Sequence, residues 1–370
     1  MKLNGPPLKR GRQHGEELRS SISKAVSIWR DRLERAAATR FEDYIDDFLS
    51  QTNFEAALNR VCPHLLEEVI GLSEGSGIPF KTILAYQLMD EEWWFRVYRK
   101  ADTRLSNIPE ACTAIGFTCK NQTETIIAQN MDIGGMESFQ AVLEIEGCED
   151  APNSWIFTYA GLIALTGVNS AGVASCTNTL YELNHSAAGM PVAFFHRLIL
   201  ECKTAKQAAD ILTCNVHASG QNYLFGDRHG VYSLECSAER YEYFWPTPNR
   251  ALVYHTNHPL VNTDNSQFET LRRRGQIDAF PNSTSRGRLK AVEERLFNWE
   301  ENRLDAEFVK ALLSSTDDPR CPISRFDQNG ADSEIGFTLG SVVYVLEDSV
   351  KVYFAGGPPS HTPYMLSTLR

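Results

Sequence analysis

The chain has 370 residues, 42% of them hydrophobic, enough to bury a large core. A net charge of −11 and an isoelectric point near 5.4 argue against an extended nucleic-acid surface, which needs clustered Lys and Arg. No apolar run approaches the roughly eighteen residues of a membrane span, and Met1-Lys-Leu-Asn-Gly-Pro-Pro-Leu-Lys-Arg10 lacks the apolar stretch of a secretory signal.

A glycine-punctuated entry, Leu3 to Gly15, leads into a long helical pattern from about Glu16 to Leu49. There Leu18, Ile22, Ala25, Val26, Trp29, Leu33 and Ala36 recur at helical spacing. A second helical stretch, Phe54 to Leu72, is expected to break or kink near Pro63 and to end at Gly75-Ser-Gly77. A third, from about Pro79 to Arg99, carries Trp93, Trp94, Phe95 and Tyr98, an aromatic density that reads as core. The pattern then changes. Cys112 to Cys119 reads as a strand with Thr113, Ile115, Phe117 and Cys119 on one face, Lys120 to Glu124 as a turn, and Thr125 to Asp132 as a second strand. Folded about Gln122, this hairpin puts Cys112 opposite Asp132, where Cβ atoms of facing residues lie roughly 4.5–5.5 Å apart.

Further strands are expected at Phe139–Glu146, Ser154–Tyr159, Val173–Thr177, Gln221–Gly226, Gly230–Cys236, Ala251–Thr256, Gly340–Glu347 and Lys351–Ala355. Between them lie helices opened by Met190-Pro191, by the capping box Thr204-x-x-Gln207, at Arg286–Glu301, and at Asp305–Ser314 with Asp305 as N-cap. Antiparallel strands grouped around helix pairs, without strand–helix–strand alternation, indicate an α+β architecture. No linker-like stretch divides the chain, so one domain with a helical N-terminal portion is expected. Nine cysteines at irregular spacings form neither a disulfide framework nor a Cys-x-x-Cys zinc pair, and the reading is a reducing cytoplasm.

Taken singly, the polar groups at strand ends have ordinary explanations. Cys112 serves as a small buried hydrophobe, as most free cysteines do. Asn before Gly or Ser is usually a turn residue, and His255 with His258 lacks a third metal ligand nearby, so no metal site is expected. Their order along the chain says more. Gly11-Arg-Gln-His-Gly15, Ala111-Cys-Thr113, Gln129-Asn-Met-Asp132, Gly167-Val-Asn-Ser-Ala-Gly172, Asn222-Tyr-Leu224 with Asp227, His255-Thr-Asn-His258, Ser324-Arg325 and Gly356-Gly-Pro-Pro359 follow one another in a series that spans nearly the whole sequence. The series resembles the acyl-coenzyme A:6-aminopenicillanate acyltransferase (isopenicillin N acyltransferase) family of N-terminal nucleophile hydrolases.

That resemblance implies a four-layer αββα sandwich and a precursor that cuts its own chain before the cysteine, here between Ala111 and Cys112. The fragments 1–111 and 112–370 would remain together as a heterodimer forming one structural domain. Cys112 would supply the nucleophile. Its freed α-amine, with an ordinary pKa of about 7.7–8.0, would supply the base. Asp132 would hold that amine, and Asn257 would donate to the tetrahedral oxyanion. Arg325 would pair with Asp132 or steady the thiolate, with Ser324 assisting. Asn169, Met131 and Asn222 are the substrate-side positions. Two residues depart from the family pattern: Ala111 stands where glycine usually precedes the nucleophile, and Met131 where an aromatic residue is common. The implied substrate is a small N-acyl amide or amino-acid conjugate. No resident cofactor is expected, although a coenzyme A thioester could serve as acyl donor. Two other readings stand beside this one: a bile-salt or penicillin V amidase, and an uncleaved, catalytically silent binding protein on the same scaffold.

Overall fold

The structure, a computed structural model, describes residues 1–100, 110–118, 124–247, 251–277, 284–297, 304–326 and 336–369. Cys119, most of the expected Lys120–Glu124 turn, and the end of the expected 286–301 helix lie outside these residues.

A short strand β1 (Lys2–Leu3) is followed by seven helices: α1 (Pro7–Glu17), α2 (Arg19–Ala37), α3 (Phe41–Ser50), α4 (Phe54–Val61), α5 (Pro63–Ser76), α6 (Phe80–Tyr86) and α7 (Met89–Lys100). The long pattern expected from Glu16 is thus three helices. The chain breaks after Ala37, where Ala38 takes the left-handed conformation with φ of 49°. The break expected at Pro63 is present: proline opens α5, and Gly77 closes it with φ of 76°.

Strands then dominate: β2 (Glu110–Thr118), β3 (Thr125–Ile133), β4 (Gln140–Ile145), β5 (Ser154–Tyr159), β6 (Thr166–Asn169) and β7 (Ala174–Thr179). Helices α8 (Val192–Leu200) and α9 (Ala205–Thr213) separate these from β8 (Gln221–Asp227), β9 (Gly230–Cys236), β10 (Tyr241–Tyr243) and β11 (Leu252–His255). The chain finishes with α10 (Ser266–Arg273), α11 (Ser285–Phe297), α12 (Ala306–Leu313), β12 (Thr338–Leu346), β13 (Val350–Ala355) and β14 (Met365–Leu369). Two of the expected caps are formed: Thr204 accepts from the Gln207 amide at 3.2 Å, and Asp305 from the Phe308 amide at 2.8 Å.

Eight strands form one sheet in the order β1-β4-β5-β6-β7-β8-β9-β10, and six form the other, β11-β2-β3-β12-β13-β14. Only β1 against β4 is parallel among the described strand pairs. The sheets face each other through a core that includes Ala114, Ile127, Met131, Trp155, Phe157, Tyr223, Leu224 and Tyr344. Ile115, Phe117, Ile126 and Ala128, on the opposite face of β2 and β3, pack against Val292 of α11 and Phe308, Val309, Leu312 and Leu313 of α12. Helices α8 and α9 cover the outer face of the eight-stranded sheet. This is an α+β, four-layer αββα sandwich. Among the described residues no helix is long and apolar enough to cross a membrane.

The N-terminal helices are tied to the later layers at several points. Glu68 of α5, 1% exposed, receives Arg10 of α1 and Arg197 of α8, the latter through Nη2 at 3.0 Å. Burial alone would push the Glu68 carboxyl up, but Arg197 and Arg10 outweigh it and hold the carboxyl below its ordinary value. Helices α1 and α5 approach so closely that a methyl group on Gly11, Gly15, Gly71 or Gly75 would run into backbone of the facing helix.

Candidate active site

The β2–β3 hairpin pairs Ala111 with Asp132 and Cys112 with Met131, one residue away from the expected opposition of Cys112 and Asp132. Thr118 pairs with Thr125, so an even number of residues, 119–124, intervenes. Folding about a single central residue would require an odd number. Side chains alternate across a sheet, so a one-residue shift reverses faces. Cys112, Met131 and Gln129 line a common cavity on the inner face. Asp132 lies on the outer face with Asn130, whose amide donates to the Leu313 and Ile323 carbonyls at 2.8 and 2.9 Å.

On its other side β2 pairs with β11, His255 opposite Ala114, and continuing that register brings Asn257 beside Cys112. The Cys112 N–H donates to Asn257 Oδ1 at 2.7 Å. Asn257 Nδ2 donates to the Thr179 carbonyl at 3.2 Å, and the Asn257 amide to Ser285 Oγ at 2.7 Å. His255, adjoining this segment, packs against Glu235 of β9 at 2.8 Å. Glu235 also accepts from the Leu260, Val261 and Asn262 amides. Burial raises the Glu235 carboxyl, but His255 and these backbone donors outweigh it and leave it lowered.

Behind the Ala111–Cys112 backbone lie a carboxylate and two guanidinium groups. Arg325 Nε stands 3.3 Å from Asp132 Oδ2, while Oδ1 accepts from Thr338 Oγ1 at 2.6 Å. Burial raises the Asp132 carboxyl above its usual range against the pull of Arg325 and Arg288. The second guanidinium, Arg288 of α11, has no counterpart in the expectations drawn from sequence. Its Nη1 donates to the Cys112 carbonyl at 2.5 Å and to Thr113 Oγ1 at 2.9 Å, and its Nη2 to Asn257 Oδ1 at 2.9 Å. Only 1% of it is exposed, and burial together with Arg325 lowers it to about 10. The sequence pattern carried no sign of it: the structure turns Ser285, Arg288 and Val292 of α11 inward, and Arg288 falls on that stripe, a position normally apolar.

The remaining expected residues lie elsewhere. Ser324 exchanges hydrogen bonds with Ser360, 2.8 Å between hydroxyl oxygens, and is not among the residues of the Cys112 cavity. Asn169 is consumed by its own turn: Oδ1 accepts from the Ala171 and Val173 amides, and Nδ2 donates to the Leu200 and Cys202 carbonyls. That is the ordinary turn explanation, and the fold does not bring Asn169 to Cys112. Asn222 donates to Asn178 Oδ1 at 3.1 Å and accepts from Ser233 at 2.7 Å. Asn178 in turn reaches the His255 carbonyl at 3.4 Å, so Asn222 stands behind the Asn257 segment and lines no part of the cavity. His258 rests on Ser285 Oγ at 2.7 Å, and burial lowers it to about 4.

The cavity at Cys112 is small, about 40 Å³, room for a few water molecules. Its walls are mostly apolar, with Met89, Met131, Ile133, Tyr159, Leu162 and Leu165 among them. Gln87, Met89 and Asp90, from the N-terminal helical portion, close one side. A thiol is thus set at the wall of an apolar recess, with both polar groups of its own peptide backbone clamped from behind.

A family model described as acyl-coenzyme A:6-aminopenicillanic acid acyl-transferase matches residues 119–358. Over 289 residues the chain is 25% identical to the acyl-coenzyme A:6-aminopenicillanic-acid-acyltransferase 40 kDa form of Emericella nidulans, covering 77% of this chain and 74% of that protein. Among solved structures, a Caenorhabditis elegans ortholog of N-acylethanolamine-hydrolyzing acid amidase aligns with a TM-score of 0.41 at 14% identity, over 63% of this chain and 92% of that one. A conjugated bile acid hydrolase from Clostridium perfringens gives a TM-score of 0.47 at 10% identity, over 70% and 96%. Penicillin V acylase from Agrobacterium tumefaciens gives 0.43 at 14% identity, over 66% and 83%. The matched family region begins beyond Cys112, which leaves the nucleophile to be assigned from geometry.

Proposed function

The chain belongs to the acyl-coenzyme A:6-aminopenicillanic acid acyl-transferase family, and from that premise we propose that it is a self-cleaving cysteine enzyme. It transfers or hydrolyses the acyl group of a small N-acyl amide, an amino-acid conjugate or an acyl-coenzyme A thioester through Cys112. One observation carries this reading. The Cys112 N–H is held by Asn257 and its carbonyl by Arg288, while its side chain lines an apolar cavity.

In the precursor, the Cys112 sulfur attacks the Ala111 carbonyl carbon. The carbon–nitrogen bond breaks as the thiol proton passes to the Cys112 nitrogen. Water then hydrolyses the thioester, leaving a carboxylate on Ala111 and a free amine and thiol on Cys112. In the mature enzyme the amine takes the thiol proton as sulfur attacks the substrate carbonyl. That proton leaves with the departing amine or thiol. Water or an acceptor amine then removes the acyl group from sulfur. Nucleophile and base belong to one residue, so little orientation has to be supplied from outside.

The surrounding groups suit these steps. Arg288 and the Cys112 N–H only donate, so Asn257 must present Oδ1 to both of them. Its Nδ2 is thereby kept at Thr179, a cavity residue, as the donor for an oxyanion. Asp132 Oδ2 has no hydrogen-bond partner among the described residues, and it would receive the α-ammonium, with Arg325 balancing the charge. Alanine at position 111 is less easily strained than glycine, so Ala111→Gly is expected to speed the cut and Asp132→Asn to slow it.

N-terminal sequencing and intact mass of purified protein test the reading. Two associated fragments are expected, the larger beginning at Cys112, and Cys112→Ala should leave one inactive chain. A single intact chain that turns over N-acyl amides with Cys112 still bonded to Ala111 would overturn the mechanism.

A further inference from the structure

Two residues that line the Cys112 cavity each carry a buried polar atom with no hydrogen-bond partner among the described residues: Gln129 at Oε1 and His196 at Nε2. Gln129 is 0% and His196 1% exposed. Each is anchored at its other end. Gln129 Nε2 donates to the Thr177 carbonyl, and His196 Nδ1 lies 3.1 Å from Ser175 Oγ. Neither side chain can turn to satisfy the free atom without breaking the bond that holds it. Native proteins pair nearly all such atoms, and the two residues that carry these line one cavity with Cys112.

We infer that the acyl group accepted at Cys112 carries a neutral hydrogen-bonding function, a hydroxyl or a carboxamide, which pairs with Gln129 Oε1 and His196 Nε2. The inference rests on Cys112 being the acyl-accepting nucleophile. Gln129 lies opposite Ala114, two residues along β3 from the Met131 that faces Cys112. This diagonal of the sheet spans about 7–8 Å and places the polar group a few bonds beyond the acyl carbonyl. The partners are uncharged: Gln129 carries no charge, and burial holds His196 at about 3, so its ring is neutral at physiological pH. A hydroxyl or carboxamide can donate to Gln129 Oε1, which only accepts, and can pair with His196 Nε2 in either tautomer. An anion would meet the Asp90 carboxylate at the same cavity. A plain alkyl chain would bury both atoms unpaired.

The test uses the mature, self-cleaved protein and matched pairs of N-acyl p-nitroanilides. Each pair has equal chain length and carries either a plain alkyl acyl group or one hydroxylated or amidated at its third to sixth carbon. The expected kcat/KM ratio favours one polar member over its alkyl partner by tenfold or more. Gln129→Leu and His196→Phe should each pull that ratio toward one. The ratio is read on wild-type protein first, so it does not depend on either variant folding. Equal or better turnover of every alkyl member would overturn the inference and leave Cys112 as nucleophile. Absence of any acyl adduct on Cys112 by mass spectrometry, with all substrates, would overturn both.

Discussion

The carboxamide of Asn257 has one end fixed from behind: two donors, the Cys112 N–H and Arg288 Nη2, converge on Oδ1. Arg288 therefore determines which end of Asn257 faces Thr179. Asn257→Ala is expected to lower kcat roughly a hundredfold or more, the usual loss for one oxyanion donor, with circular dichroism unchanged. Arg288→Lys should lower kcat by at least about tenfold with little change in KM. A single ammonium cannot span the Cys112 carbonyl, Thr113 and Asn257 in the way a guanidinium fork does. Wild-type kcat in purified Arg288→Lys would show that the fork is dispensable. The sequence proposed Cys112, Asp132, Asn257 and Arg325 through the family resemblance of the short runs in which they stand, and the fold gathers them around one stretch of backbone. The sequence did not disclose Arg288. A helical arginine reads as solvent-facing unless one knows that a backbone carbonyl and an amide oxygen await it inside.

At the level of elements, the β2–β3 pair shows where reading by pattern stops. Both strands, their bounds to within a residue or two, and the shared face of Thr113, Ile115 and Phe117 were legible, because alternation is a property of each strand alone. Their register was not, since it depends on whether the loop between them holds an odd or an even number of residues. Asp132 consequently sits behind the Ala111–Cys112 backbone, on the face opposite the thiol, where it can meet the α-nitrogen. Helix breaks followed the same division. Pro63 announced one, whereas nothing in the pattern around Ala38 announced the other. The strut under β11 yields a further expectation. Glu235 takes His255 and three backbone amides, and breaking a buried pair from one side costs about 3–5 kcal/mol. Glu235→Ala should lose stability on that order in urea denaturation. A loss below about 1 kcal/mol would mean that water replaces the carboxylate freely.

For the whole molecule, the question is what ties the N-terminal helices to the later layers. Glu68 joins α1, α5 and α8 through Arg10 and Arg197. Because its carboxyl is held below the ordinary 4.5, the stability it contributes is fully present above that value. It is lost as pH falls through the lower, folded-state value. Glu68→Gln is expected to destabilise the protein at pH 7 and to flatten its stability on the acid side, both read from urea midpoints between pH 7 and pH 3. An acid limb as steep as that of the wild type would place the responsible carboxylate elsewhere.

The glycine seam between α1 and α5 has a consequence for how freely this protein can drift. Gly11, Gly15, Gly71 and Gly75 each lack the one atom that facing backbone would not admit. A deep mutational scan scored on soluble yield should find these four positions almost as barren as buried ion-pair positions, with even alanine rejected. Exposed neighbours such as Arg12 and Glu74 should accept nearly anything. Lineages of this protein would then carry, far from the thiol, a four-point record of contact between two helices, written in a residue that has no side chain to lose.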